Sequence, residues 1–357
     1  MDAKEVRIGL IGLGQRGMAT LERYTLIPQA RIVAVADLRP DALATFASAP
    51  LPFEFYHGED GWQRLCRRVD IDLVLICTDW ATHTPIALYA MQQGRHVAIE
   101  VPAATSVEEC WQLVDTAKLT GRRCTMLENC CYDTFHLGIL PMVRSGRFGE
   151  LTHAEGAYIH DLRSDHGWMS YSVSGHGGNP YPTHGLGPVC QLLDIHRGDR
   201  IVSLVSLTGL NKLNDTLLRT ERGRTILLQF DERTPRPYSR IQTLCGTRGY
   251  AQKYPLPTLQ FDGEEPLLGE QAVQYIESQW DEPTRQLIRE GQRLEAQNLM
   301  NYVMDRRLVD ALLTNRPCDI SVEDAALWSS ITELSEQSAL GGGQPVSVPD
   351  FTCGNWS

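Results

Sequence analysis

The feature that most constrains the fold is Gly12-Leu-Gly14-Gln15-Arg16-Gly17, which follows the apolar run Val6-Arg-Ile-Gly-Leu-Ile-Gly12. Glycines at this spacing, after a strand and before a helix, make a tight turn whose N–H groups face an anion. The first glycine makes the turn, the second lets a pyrophosphate approach the backbone, and the third lets helix and strand touch. Met18–Leu26 reads as the helix and Arg31–Asp37 as a second buried strand. Asp37 ends that strand where a carboxylate binds the ribose hydroxyls of NAD and repels the 2′-phosphate of NADP. Arg39, two residues on, tempers that preference. NAD is the expected cofactor; a glycine-rich turn in some other α/β domain is the plainer alternative.

The alternation continues. Ile71–Cys77, His96–Glu100 and Arg123–Glu128 read as strands. Helices are expected from about Pro85 to Gln93, from the capping box Ser106-x-x-Glu109 to about Leu119, and from beyond Asn129 to about Ser145. Such a βαβ series gives a parallel sheet covered on both faces. The C-terminal ends of its strands carry Gly12, Asp37, Thr78, Glu100 and Asn129, at the edge where open α/β sheets bind ligands. Beyond Gly149 the pattern changes to strands at Glu150–Ile159, Ile201–Leu207, Arg224–Phe230, Arg240–Cys245 and Gly249–Lys253. Little helix separates them, which points to an antiparallel sheet. Helices return at Thr284–Thr314 and Val322–Ala339, and the tail from Gly341 reads as a loop or edge strand. The fold class expected is therefore α/β: an N-terminal Rossmann doubly wound parallel sheet plus a C-terminal α+β domain with an open, largely antiparallel sheet. The domains expected are 1–130, 131–340 and a tail, 341–357.

A chain of 357 residues exceeds one ordinary core, which agrees with two domains. Its net charge of -11 argues against a nucleic-acid surface. No apolar run reaches the length of a membrane span, and Met1-Asp-Ala-Lys-Glu runs straight into a strand, so a cytoplasmic protein is expected. The 10 cysteines are scattered without a C-x-x-C pair and read as reduced thiols. His153, His160, His166 and His176 form no metal spacing, and no metal is expected.

The densest chemistry lies in Asn179-Pro-Tyr181-Pro182-Thr183-His184-Gly-Leu-Gly-Pro188, ahead of a helical run. Gly185 and Gly187 would let other backbone or a ligand approach closely. Tyr181 and His184 are candidate proton donors and acceptors. The plainer readings are a satisfied helix-start histidine and a core tyrosine. Tyr132 and Tyr158 stand evenly between pocket and packing. Asp194 and His196, in the helix that follows, read as structural. Ser164–Pro182 reads as a loop over the cleft.

A Rossmann half followed by an open sheet resembles the glucose–fructose oxidoreductase, inositol dehydrogenase and rhizopine catabolism superfamily. Most members carry Glu-Lys-Pro after the fourth strand; this chain has Glu100-Val101-Pro102 and lacks the lysine. The departures resemble glycoside hydrolase family 109, the NAD-dependent α-N-acetylgalactosaminidases. The shared stretches include Leu127-Glu-Asn-x-x-Tyr132, Gly156–Leu162, Tyr181–Pro188, Leu193–Gly198, Val303-Met-Asp and Ala325–Ser330. The resemblance implies NAD contacts from Gln15, Arg16, Asp37, Trp80 to His83, Glu100, Val101 and Asn129. It implies a sugar pocket lined by Tyr158, Tyr181, Pro182, Thr183, His184 and Tyr238, with Tyr132 beside them. Trp168-Met169 stands where the branch has Trp-Arg, and Gln297–Asn301 where it has His-Gly-Gly-Met-Asp.

The resemblance also implies an oxidation–elimination route: oxidation at C3, loss of the C2 proton, departure of the glycosidic oxygen, water addition and reduction. Redox balance is restored, so the cofactor stays bound. A tyrosine, with a pKa of about 10, needs neighbouring charge to act as base. A dehydrogenase forming 3-keto sugars and a non-catalytic sugar sensor are the alternatives. The partner expected is a small-molecule glycoside, with a homodimer or homotetramer covering the open sheet.

Overall fold

Apolar β-branched runs that alternate with helices build the first sheet of the computed structural model, which describes residues 5–44, 52–164 and 176–356. Its strands are β1 (Val6–Ile11), β2 (Ala30–Asp37), β3 (Glu54–His57), β4 (Leu73–Ile76), β5 (His96–Ile99) and β6 (Cys124–Met126). All pair in parallel, in the order β3-β2-β1-β4-β5-β6. Strands β1 and β4 are buried almost end to end, as a sheet covered on both faces requires. The order reverses between β1 and β4, and an open sheet offers its ligand crevice at such a switch point.

The helices between these strands are α1 (Gln15–Tyr24), α2 (Gly61–Cys66), α3 (Trp80–Gln92) and α4 (Val107–Thr120). Helix α3 starts at Trp80, ahead of the expected Pro85. Thr82 donates its N–H and its hydroxyl to the Asp79 carbonyl, so the turn forms before the proline that normally marks a helix start. The capping box of α4 forms with one change: Ser106 accepts from the Glu109 N–H, but Glu109 reaches back to the N–H and hydroxyl of Thr105.

After a 3-10 turn, Asn129–Tyr132, come α5 (Thr134–Arg144), β7 (Leu151–Ile159) and α6 (Thr183–Leu192). Next in the chain are β8 (Ile201–Thr208), β9 (Asn214–Thr220), β10 (Thr225–Asp231), β11 (Thr243–Gly246), β12 (Gly249–Gln252), β13 (Thr258–Phe261) and β14 (Leu267–Leu268). Helices α7 (Glu270–Ser278), α8 (Glu282–Arg293), α9 (Leu299–Leu313) and α10 (Val322–Leu340) precede β15 (Val346–Ser347). Among the described residues the second sheet has nine strands in the order β14-β13-β12-β11-β7-β10-β9-β8-β15. Every neighbouring pair is antiparallel except β7 with β10. The tail is thus an edge strand, on β8.

Strand β9 is hidden in the sequence because its buried face, Leu218 apart, is polar. Asn214, Thr216 and Thr220 point inward, and Asn214 and Thr216 are satisfied by Ser206 and Thr208. The long helix expected over Thr284–Thr314 is broken at Asn298, whose side chain caps α9 by accepting from the Asn301 N–H. Asp194 and His196 lie beyond the end of α6, at φ 52° and 64°, and not in the helix. Asp and His are among the few side chains that tolerate that region.

The chain divides into two compact units, Met1–Leu127 with Leu287–Ala326, and Glu128–Gln286 with Leu327–Ser357. In the first unit α9 brings Asp305, fully buried, against Arg23 of α1 at 2.5 Å. Among the described residues no helix is long and apolar enough to cross a membrane.

Candidate active site

In the first unit the glycine turn has the shape its sequence demands. Gly12 takes φ +90°, and a Cβ there would lie 2.6 Å from the Cys77 carbonyl oxygen. A Cβ on Gly17 would sit 1.8 Å from the Gly12 carbonyl oxygen, so only glycine lets α1 approach the turn. Gly14 is different: a Cβ would meet nothing within 4 Å, leaving that backbone face open. Helix α1 has no side-chain cap and no acidic residue in its first turn. Its N-terminal partial charge is therefore uncompensated, which suits a pyrophosphate.

Asp37 ends β2, with one carboxylate oxygen accepting from the Leu13 N–H at 2.7 Å. The other accepts from the N–H and the guanidinium of Arg39 at 2.9 and 3.0 Å. Burial pushes the carboxyl up, but these hydrogen bonds outweigh it and hold the pKa below its usual value. These residues fit NAD: a turn closed to side chains, an open second glycine, and a carboxylate fixed at the end of the second strand.

Glu100 and Val101 follow β5. Burial raises the Glu100 pKa, opposed by Arg16 and Arg23, and Arg16 stands 3.6 Å from its carboxylate. Thr78 precedes α3, while Trp80 and His83 lie on it. His83 is buried with its ring nitrogens 2.8 and 3.1 Å from the carbonyls of Pro102 and Thr78. Burial keeps its pKa low, so the neutral ring is favoured and donates to only one of the two carbonyls. Gln15 opens α1. Asn129 belongs to the second unit.

In the second unit, glycines again set the geometry. A Cβ on Gly185 would lie 2.6 Å from the Ala157 N, and one on Gly156 would lie 2.3 Å from the Gly185 carbonyl oxygen. Of the two uses open to Gly185, backbone approach is the one realised: α6 lies directly against β7. Gly187 likewise admits Trp328, Cys131 and Glu128. This contact delivers His184, in the first turn of α6, to Glu128 and to the aromatic residues of β7.

His184 Nδ1 lies 2.8 Å from the Glu128 carboxylate, which is wholly buried. Glu128 also accepts from the Cys130 N–H at 3.1 Å, so the 3-10 turn fixes its orientation. Burial disfavours both charges, yet each partner stabilises the other. The Cys130 sulfur and the Glu128 carboxylate raise His184 to about 10, while His184 holds Glu128 below the ordinary carboxylate range. Both directions favour the charged pair, imidazolium and carboxylate. His184 Nε2 faces the Tyr181 hydroxyl at 3.5 Å.

Tyr158 meets Tyr181 edge to face, with ring centroids 4.9 Å apart, and His184 at 5.6 Å. Its hydroxyl pairs with His160 Nδ1 at 3.1 Å, and His160 meets Tyr238 at 5.3 Å. The structure thus brings Tyr158, Tyr181, His184 and Tyr238 together. Tyr132 is buried at the end of the 3-10 turn, and Pro182 and Thr183 are buried at the start of α6. His166, Trp168 and Met169, and most of the loop expected over the cleft, lie outside the described residues. Sequence reasoning missed Glu128, Cys130 and His160. Glu128 and His160 stand inside the stretches Leu127–Tyr132 and Gly156–Leu162, but no spacing rule links either to its partner.

Glu128, Cys130 and His184 bring their ligand-type atoms within 4.8 Å of one another, a donor set that zinc accepts. Ligand atoms about 2 Å from an ion stand farther from each other than 2.8 Å. The His184–Glu128 separation is that of a proton shared between them.

Comparison with known proteins agrees with both halves. Residues 6–128 match the oxidoreductase family, NAD-binding Rossmann fold. Residues 164–213 and 209–357 match the glycosyl hydrolase 109, C-terminal domain. An alpha-N-acetylgalactosaminidase of Bacteroides fragilis is 50% identical over 98% of this chain and 93% of its own length. Glycosyl hydrolase family 109 protein 2 of Phocaeicola vulgatus is 49% identical over 98% and 95%. Among solved structures, an oxidoreductase domain protein from Kribbella flavida superposes with a TM-score of 0.78 at 18% identity, over 97% of this chain and 100% of its own. A levoglucosan dehydrogenase with NADH and L-sorbose superposes at 0.74 with 17% identity, over 98% and 100%; at such identities the likeness shows the fold. With an NAD-binding family match in the N-terminal part and a glycosyl hydrolase 109 match over the C-terminal part, the chain belongs to glycosyl hydrolase family 109 and is an NAD-dependent glycosidase.

Proposed function

We propose that this glycosidase cleaves a small glycoside, an N-acetylgalactosaminide or a near relative, by transient oxidation and elimination. The observation that carries the reading is the Glu128–His184–Tyr181 array, a proton-handling group set against the aromatic ring of Tyr158. The name of the 50% identical Bacteroides relative supports the sugar.

Bound NAD supplies a hydride acceptor that is restored within each turnover. The protein's residues then have to move protons. Glu128 holds Nδ1–H of His184, fixes the ring and leaves Nε2 as the exchanging atom. Tyr181, beside the His184 imidazolium, has the neighbouring positive charge that a phenol needs to act as base. The two groups exchange the pair of protons the route requires: one accepts the C2 proton, made acidic by the adjacent ketone, and the other protonates the departing glycosidic oxygen. Tyr158 and Tyr238 supply apolar ring faces of the kind that pack on sugars.

The test is proton NMR of the purified protein with a panel of aryl glycosides in deuterated water, without added NAD. Release of aglycone with deuterium at sugar C2 and no accumulated NADH is expected. Turnover that needs added NAD and leaves a stable keto sugar would replace the glycosidase reading with that of a dehydrogenase.

A further inference from the structure

At the far end of the aromatic wall lies a cation that its neighbours only half satisfy. Arg240 is 3% exposed and gives one guanidinium nitrogen, Nη2, to Asp133 at 2.8 Å. Its Nε and Nη1 are buried with no hydrogen-bond partner among the described residues. Asp133 also takes Lys253 Nζ at 2.5 Å and accepts from the Phe135 N–H. A buried cation and a half-buried one therefore share the Asp133 carboxylate. Two residues on, Gln242 is 5% exposed, and both the oxygen and the nitrogen of its carboxamide lack a partner. Between and at these positions the backbone is forced: Ile241 and Gln242 take φ 55° and 57°, where a β-branched side chain is a steric outlier.

Unmet donors in a buried site are costly, and strain of this kind persists where a site uses it. The location agrees. The Arg240 guanidinium lies 5.9 Å from the Tyr254 ring, which meets Tyr238 at 6.1 Å, which meets Tyr158 at 6.5 Å. Tyr158 packs on Tyr181 and His184. The orphaned guanidinium thus sits at one end of a continuous aromatic train whose other end is the proton-handling pair, and Gln242 follows it by two residues in the chain.

We propose that Arg240 and Gln242 form a specificity subsite that receives an anionic oxygen of the ligand, so that the preferred glycoside carries a carboxylate on its ring or aglycone. The guanidinium supplies the donors and the compensating charge, and the carboxamide supplies a donor to the second carboxylate oxygen. Only the word glycoside rests on the proposed function; the anion preference is a binding property.

The experiment is isothermal titration of the full chain, with its resident cofactor, using D-galacturonate, D-galactose and N-acetyl-D-galactosamine as probes. Galacturonate should bind about tenfold or more tighter than galactose. Arg240→Met should abolish that preference while leaving the melting temperature unchanged or raised, because Asp133 keeps Lys253. Should Arg240→Met fail to fold, Gln242→Leu serves instead: a higher melting temperature with weaker galacturonate binding supports the subsite. Equal binding of the acidic and neutral probes, or an acid preference that survives substitution while stability falls, overturns it. An acid-preferring protein that hydrolyses no glycoside would overturn the proposed function and leave the subsite standing.

Discussion

Glu128 and His184 stabilise each other only while both are charged, and this sets a pH window. His184 is raised to about 10 in the folded protein, against about 6.5 unfolded. Its contribution to stability is fully present below 6.5 and is lost as pH rises through about 10. Glu128 is lowered, so its contribution is present above about 4.5 and is lost as pH falls through the folded value. Glu128→Gln should therefore melt at a lower temperature than the parent between about pH 5 and 9, with the two curves converging outside that window. The alkaline limb of the kcat profile should move from near 10 toward neutrality, with kcat reduced by about 10²-fold. An unchanged limb would show that His184 does not hold the transferred proton. Tyr181 and His184 were legible as candidates because titratable types crowd into a few residues beside a helix start. Glu128 was not, because its partner is 56 residues away and nothing local distinguishes a buried carboxylate from an exposed one.

Two elements are set by glycines for opposite reasons, and alanine separates them. Gly185 lies in α6, where alanine normally favours a helix by about 1 kcal/mol. Here a Cβ would lie 2.6 Å from the backbone of Ala157, so Gly185→Ala should destabilise by about 1–3 kcal/mol and lower kcat by displacing His184. Gly14→Ala meets nothing within 4 Å and should leave the melting temperature within about 0.5 kcal/mol of the parent. It should weaken NAD binding by about tenfold or more, because the open face is where a pyrophosphate approaches. Thermal melts with cofactor titration check both; equal stability losses would refute the distinction. Elements whose apolar period is clean were readable, as β1, β2 and β4 show. Strand β9 was not, since Asn214, Thr216 and Thr220 take most of its buried face, and neither was the break between α8 and α9, which depends on one asparagine cap.

At the scale of the molecule, the first unit draws its residues from two stretches far apart in the chain. Arg23 is buried beside Asp305, and removing one partner of such a pair costs about 3–5 kcal/mol. That is a large share of the roughly 5–15 kcal/mol by which a domain is stable. A fragment ending at Leu127 should therefore lack a cooperative melt and NAD-dependent stabilisation in circular dichroism, while a fragment that also carries Leu287–Ala326 in trans should recover both. A cooperative melt of the short fragment alone would refute this. The consequence reaches back to synthesis: a ribosome makes Arg23 some 282 residues before Asp305. At about 5–20 residues per second, the nascent cofactor unit waits roughly a quarter of a minute to a minute, with a cation destined for burial still in water. A chaperone that shields that surface would gain most from acting early, before the last third of the message is read.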